Sequence, residues 1–311
     1  MAGSFQVVFI MIATGYIDGV IAPLEDTRVP VLDRGFLYGD SIYEVFRTYS
    51  GIPFMFDEHY TRLQNSARLC GMHLDQSRED IYDAARQTVA ACQNADGEDV
   101  YIRYQITRGE GPVDLYPDPD LKTRLIIIVK PVPQWNPEHY RTGMSMAIPS
   151  VRRNSVTSLD PNIKGGNYLN NVLALAEARH LGMDECLMLD AEGNLSECSN
   201  SNIWLVIDDK VVTPVSGNLV GLTRRSLMSL MHNSGQAAEE TMIHSDDLSR
   251  ATECFVTSAT REVMPVNMLR LENGETLRFP DGGGEKTKLA QKLYQDMLVE
   301  FVHDNRANAW F

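Results

Sequence analysis

Hydrophobic and polar positions change their period along the chain, and the changes predict which segments form strands and which form helices. Near the start, "GYIDGVIAPLEDTRVPVLDRG" alternates short apolar runs with turn residues, and "IYEVFRTYSGIPFMF" predicts two strands joined at Ser50 and Gly51. The segments "DEHYTRLQNSARLCGM" and "SREDIYDAARQTVAACQ" instead repeat apolar residues at helical spacing. "DVYIRYQITRG" and "RLIIIVKPVP" return to strand patterns, and the unbroken apolar run at residues 125–129 predicts a strand buried on both faces.

The second half of the chain mixes helices with hairpins. The pattern predicts a helix over 167–181, a hairpin over "ECLMLDAEGNLSECSNSNIWLVIDDKVVTP", a helix after Gly221, a strand at "ECFVTS", a hairpin around Asn273 and Gly274, and a C-terminal helix. "KPVPQWNPE", with its three prolines, is the best linker candidate. We therefore predict an α+β protein with a smaller N-terminal α/β domain (1–130), a linker (131–138) and a larger C-terminal α/β domain (139–311).

Charge and cysteine content narrow the classes of partner. A net charge of −14 argues against nucleic acid and anionic membranes, since both attract clusters of Lys and Arg. The apolar run "VVFIMIA" at residues 7–13 is too short to span a bilayer. The five cysteines are odd in number and show no paired spacing, and the seven histidines form no metal-binding pattern. We expect a soluble cytoplasmic protein with no metal site.

Two charged side chains lie in segments of unusual composition. In "NIKGGNY", Lys164 stands between an extended-looking segment and a predicted helix, next to two glycines that allow close approach of backbone or ligand. A reachable, partly desolvated lysine can form an imine, although a lone loop lysine is more often a solvated surface charge. In "LSECSNSNIWL", Glu197 is either a surface group or the carboxylate that keeps a pyridine nitrogen protonated.

Two further segments could bind an anion. "GNLVGLTRRSLMSLM" places Thr223 at the start of a helix, where free N–H groups attract a phosphate, although a simple capped helix is the favoured interpretation of this segment taken alone. "ECFVTSAT" places small hydroxyl residues at the end of another strand, a second place for backbone donors.

Taken together, seven segments resemble one protein family in order and spacing, from near residue 15 to the end of the chain. They are "DRGFLYGDSIYEVFRTYSG", "EHYTRLQNSA", "YIRYQITRG", "DPNIKGGNYLNNVLALAEAR", "DECLMLDAEGNLSECSNSNIWLV", "GLTR" and "TSATREVMPV". They are similar to the class IV (fold type IV) aminotransferases, which depend on pyridoxal 5′-phosphate (PLP). That family includes branched-chain and D-amino-acid aminotransferases, (R)-selective amine transaminases and aminodeoxychorismate lyase. The resemblance implies two α/β domains with PLP in the cleft between them, and a homodimer.

The resemblance also implies a role for each cofactor residue. Lys164 holds PLP as an internal aldimine and shuttles the proton between the substrate Cα and C4′ of the cofactor. Tyr168, one helical turn further on, bonds the phenolic oxygen of PLP, and Glu197 pairs with its pyridinium nitrogen. The phosphate is bound by Arg62, Leu222, Thr223, Ser258 and the amide of Ala259. Many relatives have threonine at position 259, so one hydroxyl contact is lost there.

The implied substrate pocket combines features of several family members. Tyr101 and Arg103 resemble branched-chain aminotransferases, in which the arginine receives the distal carboxylate of glutamate or 2-oxoglutarate. Tyr43 and Val45, with Tyr38 nearby, are closer to the D-amino-acid and amine enzymes, because branched-chain enzymes usually have Phe and Gly at 43 and 45. Apolar differences of this size shift selectivity by roughly 1–3 kcal/mol.

Three functions follow from the resemblance. The first is an aminotransferase that moves an amino group between a hydrophobic amino acid or primary amine and a 2-oxo acid, either 2-oxoglutarate or pyruvate. The alternative is a lyase of the aminodeoxychorismate type, which shares the cofactor residues and releases pyruvate. A non-catalytic relative that keeps the fold for binding is the least favoured, because all the cofactor residues are present.

Overall fold

The computed structural model describes residues 13–92 and 97–311, and these fall into two compact units. The first unit takes in the described residues up to Tyr60, together with His73–Pro133 and Val302–Phe311. The second unit comprises Thr61–Met72 and Gln134–Phe301. The apolar run at residues 7–12 lies outside the described residues, and the predicted domain boundaries at 130 and 139 stay a prediction.

The first unit is built on an antiparallel sheet of six strands in the order β2-β1-β6-β5-β3-β4. Helix α2 begins in this unit and continues into the second. The elements are β1 (Thr14–Ile17), β2 (Val20–Pro23), α1 (Arg34–Tyr38), β3 (Ser41–Tyr49), β4 (Ile52–Pro53), α2 (Phe56–Leu69), α3 (Arg78–Ala91), β5 (Val100–Thr107) and β6 (Arg124–Pro131).

Strand β6 is covered fully on one face only. Leu125, Ile127 and Val129 are buried, whereas Ile126 and Ile128 between them are only partly buried. Helix α3 packs on β6 and its neighbours through an apolar stripe that includes Ile81. The predicted burial of β6 on both faces is therefore wrong. An unbroken apolar run is typical of parallel strands between two layers of helices, and this strand lies in an antiparallel sheet.

The predicted hairpin at Ser50 and Gly51 is confirmed. Both residues have positive φ, 52° and 76°, as a two-residue turn between right-twisted strands requires. The carbonyl of Gly51 accepts a hydrogen bond from the N–H of Trp310 at 2.9 Å. The Trp310 ring packs edge-on against Phe46 and Tyr82, so the C-terminal residues lie against the hairpin and the core beneath β3.

The second unit is built on a mixed nine-stranded sheet in the order β12-β11-β10-β13-β14-β7-β8-β9, with β15 paired to β14. The pairs β11–β12, β14–β7 and β7–β8 are parallel. The elements are α4 (Pro137–Arg141), β7 (Met144–Ala147), α5 (Leu169–His180), β8 (Glu185–Leu189), β9 (Leu195–Cys198), β10 (Asn202–Ile207), β11 (Lys210–Pro214), α6 (Leu222–Asn233), β12 (Ala238–Thr241), β13 (Ala251–Ser258), β14 (Glu262–Arg270), β15 (Thr276–Arg278) and most of α7 (Glu285–Asp304).

The predicted single hairpin between residues 185 and 214 is wrong, because the segment forms two hairpins. Strand β8 pairs with β9, and β10 pairs with β11 on one side and with β13 on the other. A tight turn separates the two hairpins, with the N–H of Cys198 bonded to the carbonyl of Ser201 at 2.9 Å. The hairpin around Asn273 and Gly274 is confirmed as β14–β15.

The core of the second unit lies along β7, β8, β10, β13 and β14. Their inward side chains form one buried apolar cluster, and Trp204 stacks on Phe255 across β10 and β13 with the ring centroids 5.7 Å apart. Helices and mixed or antiparallel strands in each unit confirm the predicted α+β class. Within residues 13–92 and 97–311, no helix has the length and apolar character needed to cross a membrane.

Asp75 provides a test of the first unit that depends on pH. Its Oδ2 accepts hydrogen bonds from the N–H (2.8 Å) and Oγ1–H (3.0 Å) of Thr123, just before β6. The backbone bond from Thr123 holds the pKa of Asp75 below its usual range. The contribution to stability is therefore complete above the unfolded pKa of about 3.9, and it is lost as the pH falls through the lower folded value.

We expect Asp75→Ala to reduce the free energy of unfolding by about 1–2 kcal/mol at pH 7, because the backbone N–H of Thr123 loses its acceptor. The deficit should shrink as the pH falls below about 4. Urea denaturation at pH 7 and below about pH 4 measures this deficit in the free energy of unfolding. Asp83→Ala, on the exposed face of α3, is the control. An equal deficit at both pH values would contradict the linkage.

Candidate active site

The residues predicted from the sequence separate by unit. The five pocket residues Tyr38, Tyr43, Val45, Tyr101 and Arg103 belong to the first unit. All the predicted cofactor residues belong to the second, namely Arg62, Lys164, Tyr168, Glu197, Leu222, Thr223, Ser258 and Ala259.

Lys164 lies in the loop between β7 and α5. The residues before it form turns rather than a strand, so the predicted strand-to-helix junction is wrong. Its N–H donates to Oγ of Ser66 at 3.1 Å, and that hydroxyl, which is fully buried, donates to the carbonyl of Asn162 at 3.4 Å. Helix α2 therefore holds the backbone around Lys164. Tyr168 immediately precedes α5, so Lys164 and Tyr168 do not share a helical turn.

Arg62 lies one turn before Ser66 on the same helix. Its Nη1 donates to the carbonyl of Val220 at 3.3 Å. The N–H of Val220 donates to Oδ1 of Asn162 at 3.3 Å, two residues before Lys164. Residues 217–221, which we call the 217–221 loop, thus contact both the arginine and the lysine segment.

Helix α6 follows the 217–221 loop and begins at Leu222 without a side-chain cap. Gly221 precedes the helix, and a Cβ there would lie 2.1 Å from Oδ1 of Asn202, so only glycine fits this position. Asn202 also donates from Nδ2 to the carbonyl of Leu219 at 2.8 Å. The first N–H groups of α6, next to the hydroxyl of Thr223, form a site suited to an anion.

Glu197, on β9, is almost completely buried and has donors on both carboxylate oxygens. Oε1 accepts from Nε and Nη2 of Arg153 at 3.1 and 2.8 Å. Oε2 accepts from the N–H of Leu219, in the 217–221 loop, at 3.1 Å. A carboxylate offers about four lone-pair directions, so this one retains capacity for one further N–H donor, such as a protonated pyridine nitrogen.

Ser258 is the last residue of β13, at the end of the sheet where Asn202 begins β10. Thr257, before it, pairs with Asn202 of β10, and the asparagine side chain contacts the 217–221 loop. Oγ of Ser258 accepts the N–H of Arg261 at 3.2 Å, and Ala259 lies in the turn between them. The sheet therefore brings Ser258 towards the start of α6.

Four polar residues that hold this arrangement were missed from the sequence: Ser66, Arg153, Asn162 and Asn202. Asn162 is the first residue of the "NIKGGNY" segment, so inspection of that segment could have identified it. Arg153 is distant from Glu197 along the chain, and no local spacing connects the two. These residues bond chiefly to backbone groups or to another side chain of the site, so only the folded chain reveals their part.

Four of the five pocket residues of the first unit lie on the neighbouring strands β3 and β5. Tyr43 is opposite Gln105 and Val45 is opposite Arg103, so these side chains project from one face of β3 and β5. The guanidinium of Arg103 lies 3.7 Å from the centroid of the Tyr43 ring and donates from Nη2 to Oε1 of Gln105 at 2.8 Å. Gln105 donates in turn to Oγ of Ser41 at 2.9 Å. Arg103 is thus held in a fixed orientation.

The rings of Tyr101 and Tyr38 each make a cation–π contact with a basic side chain. Burial raises the pKa of Tyr101 above its ordinary value, so its phenol stays protonated at neutral pH. Nζ of Lys130 lies 5.0 Å from the Tyr101 ring centroid. Tyr38 ends α1, and the guanidinium of Arg34 lies 4.9 Å from its ring centroid.

The donor set of the second unit fits PLP. Lys164 offers a primary amine for an aldehyde, Glu197 offers a buried acceptor for a pyridine N–H, and Arg62 with the start of α6 and Ser258 offers donors for a phosphate. The 217–221 loop contacts Arg62, Glu197 and the Lys164 segment directly.

Comparison with known proteins supports the same interpretation. The family model described as amino-transferase class IV matches residues 41–269. A putative branched-chain-amino-acid aminotransferase of Methanocaldococcus jannaschii is 32% identical over 290 residues, covering 92% of this chain and 96% of the relative.

Two solved structures are similar over nearly the whole chain. One is a branched-chain aminotransferase of Thermoproteus uzoniensis with norvaline, at a TM-score of 0.81 and 28% identity, covering 92% of this chain and 95% of that one. The other is an aminotransferase of Brucella abortus bound to PLP, at a TM-score of 0.80 and 26% identity, covering 92% and 99%.

Breaking the Arg153–Glu197 pair tests how this site is stabilised. We expect Arg153→Met to lower the free energy of unfolding by about 3 kcal/mol, because it leaves a buried carboxylate without its cation. Adding Glu197→Gln to Arg153→Met should restore part of the lost stability. Urea denaturation of the wild type, the two single variants and the double variant measures the coupling energy between the two side chains.

The neighbouring Arg152 provides a matched control, since it pairs with Glu272 at 2.8 Å on the exposed surface. Arg152→Met should cost less than about 1 kcal/mol. Equal losses for the two arginines would show that burial of the Glu197 pair is unimportant.

Proposed function

Because the chain belongs to the class IV aminotransferase family, we propose that it transfers the amino group of a hydrophobic L-amino acid to 2-oxoglutarate. The observation that carries the choice of acceptor is the fixed guanidinium of Arg103, stacked on Tyr43 and held by Gln105. A pre-oriented arginine recognises a carboxylate through two parallel hydrogen bonds, and 2-oxoglutarate has a distal carboxylate to offer.

The enzyme is a PLP-dependent transaminase. When bound, PLP supplies an electron sink for the electron pair released as the substrate Cα–H bond breaks. We assign to Lys164 the covalent attachment of the cofactor and then, once its amine is released, the removal and return of the Cα proton. The hydrogen bond from the Lys164 N–H to Ser66 fixes the backbone while the side chain changes its role.

The other cofactor residues have roles set by their positions. We assign Glu197 to the pyridine nitrogen, because its remaining acceptor capacity lies in a buried carboxylate that Arg153 orients. We assign the phosphate to Arg62, the N–H groups at Leu222 and Thr223, Ser258 and the amide of Ala259. Tyr168, at the start of α5, is assigned to the phenolic oxygen of the cofactor.

Val45 affects the size of the apolar pocket that receives the amino donor. Its side chain lies opposite Arg103 on β3, where it narrows the space beside the guanidinium. A narrowed apolar pocket biases the enzyme among hydrophobic amino acids and amines without excluding them. The branched-chain names of two of the three relatives described above favour leucine, isoleucine and valine as donors. Tyr38 and Tyr101 are assigned to the wall of the same pocket.

We also propose that the chain forms a homodimer and acts in the cytoplasm. Leu169, Val172 and Leu173 on α5 are each more than half exposed, and an apolar helix face of this kind is typical of a surface covered by another chain. The five cysteines, which all lie within the described residues, form no disulfide, as is usual in a reducing compartment. The mass of the protein in solution distinguishes a monomer from a dimer.

A half-reaction tests the proposed chemistry directly. We expect the purified PLP-loaded protein, mixed with L-leucine alone, to convert its cofactor to the pyridoxamine form, followed by absorbance. Lys164→Ala should abolish turnover, whereas Lys210→Ala, which removes an exposed lysine of the same unit, should not. No amino transfer from any member of a broad panel of amino acids and amines would refute the proposal. Pyruvate release without an oxo-acid acceptor would indicate the lyase instead.

A second experiment tests the acceptor. We expect Arg103→Met to lower kcat/KM for 2-oxoglutarate about 100-fold, because a charge-assisted hydrogen bond is lost, with little change for 4-methyl-2-oxopentanoate. Gln105→Leu should lower the same parameter about tenfold, since Arg103 loses its support. Gln87→Leu, on the exposed face of α3, is the control. Equal losses for both acceptors would contradict carboxylate recognition by Arg103.

A further inference from the structure

A second buried ion pair lies beside the cofactor residues without belonging to them. Nη2 of Arg261 is 2.9 Å from Oε2 of Glu185, and both side chains are at least 95% buried. Arg261 lies in the turn between β13 and β14, and Glu185 is the first residue of β8. Two charges removed from water in this way are stable only in a well-defined geometry with further hydrogen bonds.

Arg261 also makes hydrogen bonds to two segments. Its Nη1 donates to Oδ1 of Asn200 and, at 3.2 Å, to Oγ of Ser201. Its own N–H donates to Oγ of Ser258 at 3.2 Å. The planar guanidinium also lies 4.3 Å from the ring centroid of Trp135. One side chain therefore joins the turn after β13 to the turn that follows Glu197.

The turn after β13 has a second attachment through the same aromatic residue. Nε1 of Trp135 donates to the carbonyl of Thr260 at 3.0 Å. The hydroxyl of Tyr140 donates to the carbonyl of Arg261 at 3.1 Å. The position of Ser258 and Ala259 is therefore set by Arg261 and the residues packed around it.

Glu185 contacts the same turn after Glu197 that Arg261 contacts. Its Oε1 accepts the N–H of Ser199 at 3.2 Å, two residues beyond Glu197. The carbonyl of Ser199 accepts Nδ2 of Asn171, on α5, at 2.9 Å. The ion pair thus lies between the segment that carries Glu197 and the segment that carries Ser258.

We propose that the Arg261–Glu185 pair is a positioning device that sets the spacing between Glu197 and Ser258, the residues assigned to the ring nitrogen and to the phosphate of PLP. This inference rests on the proposed function, in which Glu197 meets the pyridine nitrogen and Ser258 the phosphate. Neither Arg261 nor Glu185 is among the residues assigned to the cofactor, and the contacts described above are with other protein groups. Their effect arises because residues that bind a ligand keep a precise geometry only when a rigid surrounding shell supports them.

The alternative is that the pair contributes only to folding, and a double replacement separates the two possibilities. Removing Arg261 alone leaves a buried carboxylate and can prevent folding. Replacing both partners with neutral groups, in Arg261→Met/Glu185→Gln, removes both charges and is often tolerated. Arg261→Lys keeps the charge opposite Glu185 but removes the planar fork that reaches Asn200 and Ser201.

The measurement is the rate at which PLP leaves the holoenzyme after dilution, together with the absorbance maximum of the bound cofactor. In metal sites, loss of groups that orient the ligands typically lowers affinity about 10- to 100-fold, and we expect PLP release from the double variant to accelerate by about the same factor. The absorbance maximum should shift, while the thermal midpoint of the cofactor-free protein stays close to wild type. Arg261→Lys should lie between wild type and the double variant.

Arg250→Met is the control, because Arg250 forms exposed ion pairs with Asp208 and Asp247 in the same unit. It should release PLP at the wild-type rate. Wild-type release and absorbance in the double variant and in Arg261→Lys would overturn the positioning role, and either variant decides this if the other does not fold. A wild-type protein that retains no PLP would overturn the proposed function itself, and that result is read from the unmodified chain alone.

Discussion

The arrangement of the site depends on the burial of one carboxylate. Glu197 lies inside the second unit with almost no contact with water, and a buried charge persists only when donors surround it. Arg153 and the N–H of Leu219 supply those donors from two distant parts of the chain. Because Leu219 belongs to the 217–221 loop, satisfying Glu197 also fixes the loop that leads into α6.

That loop transmits the constraint to the rest of the site. Its Val220 accepts a hydrogen bond from Arg62 and donates one to Asn162, two residues before Lys164. The carboxylate of Glu197, the guanidinium of Arg62 and the segment that carries Lys164 therefore all contact one short backbone segment. Such a segment tolerates little change, and Gly221 at its end, packed against Asn202, has no room for a side chain.

The errors in the sequence interpretation share a cause. The apolar run of β6 predicted burial on both faces, and the segment from 185 to 214 predicted one hairpin. In each case the local pattern was read correctly, and what lay on the neighbouring strand or face decided the outcome. The segment before Lys164 was expected to be extended, but it forms turns, and Ser66 on a distant helix holds the residue in place. Hydrophobic periodicity shows which side chains are apolar, but it does not predict which part of the fold will pack against them.

By itself, the sequence determined the α+β class, most of the helices and strands, and the residues capable of the chemistry. Those properties depend on local backbone preference and on the identity of reactive groups, which are written in short segments. Only the tertiary structure decided which residues support them: Arg153 for Glu197, Ser66 for Lys164, Gln105 for Arg103 and Arg261 for Ser258. The contacts of Arg153 with Glu197 and of Ser66 with Lys164 join distant segments whose approach depends on how the chain folds. An isolated polar residue carries no sign of the partner it will meet.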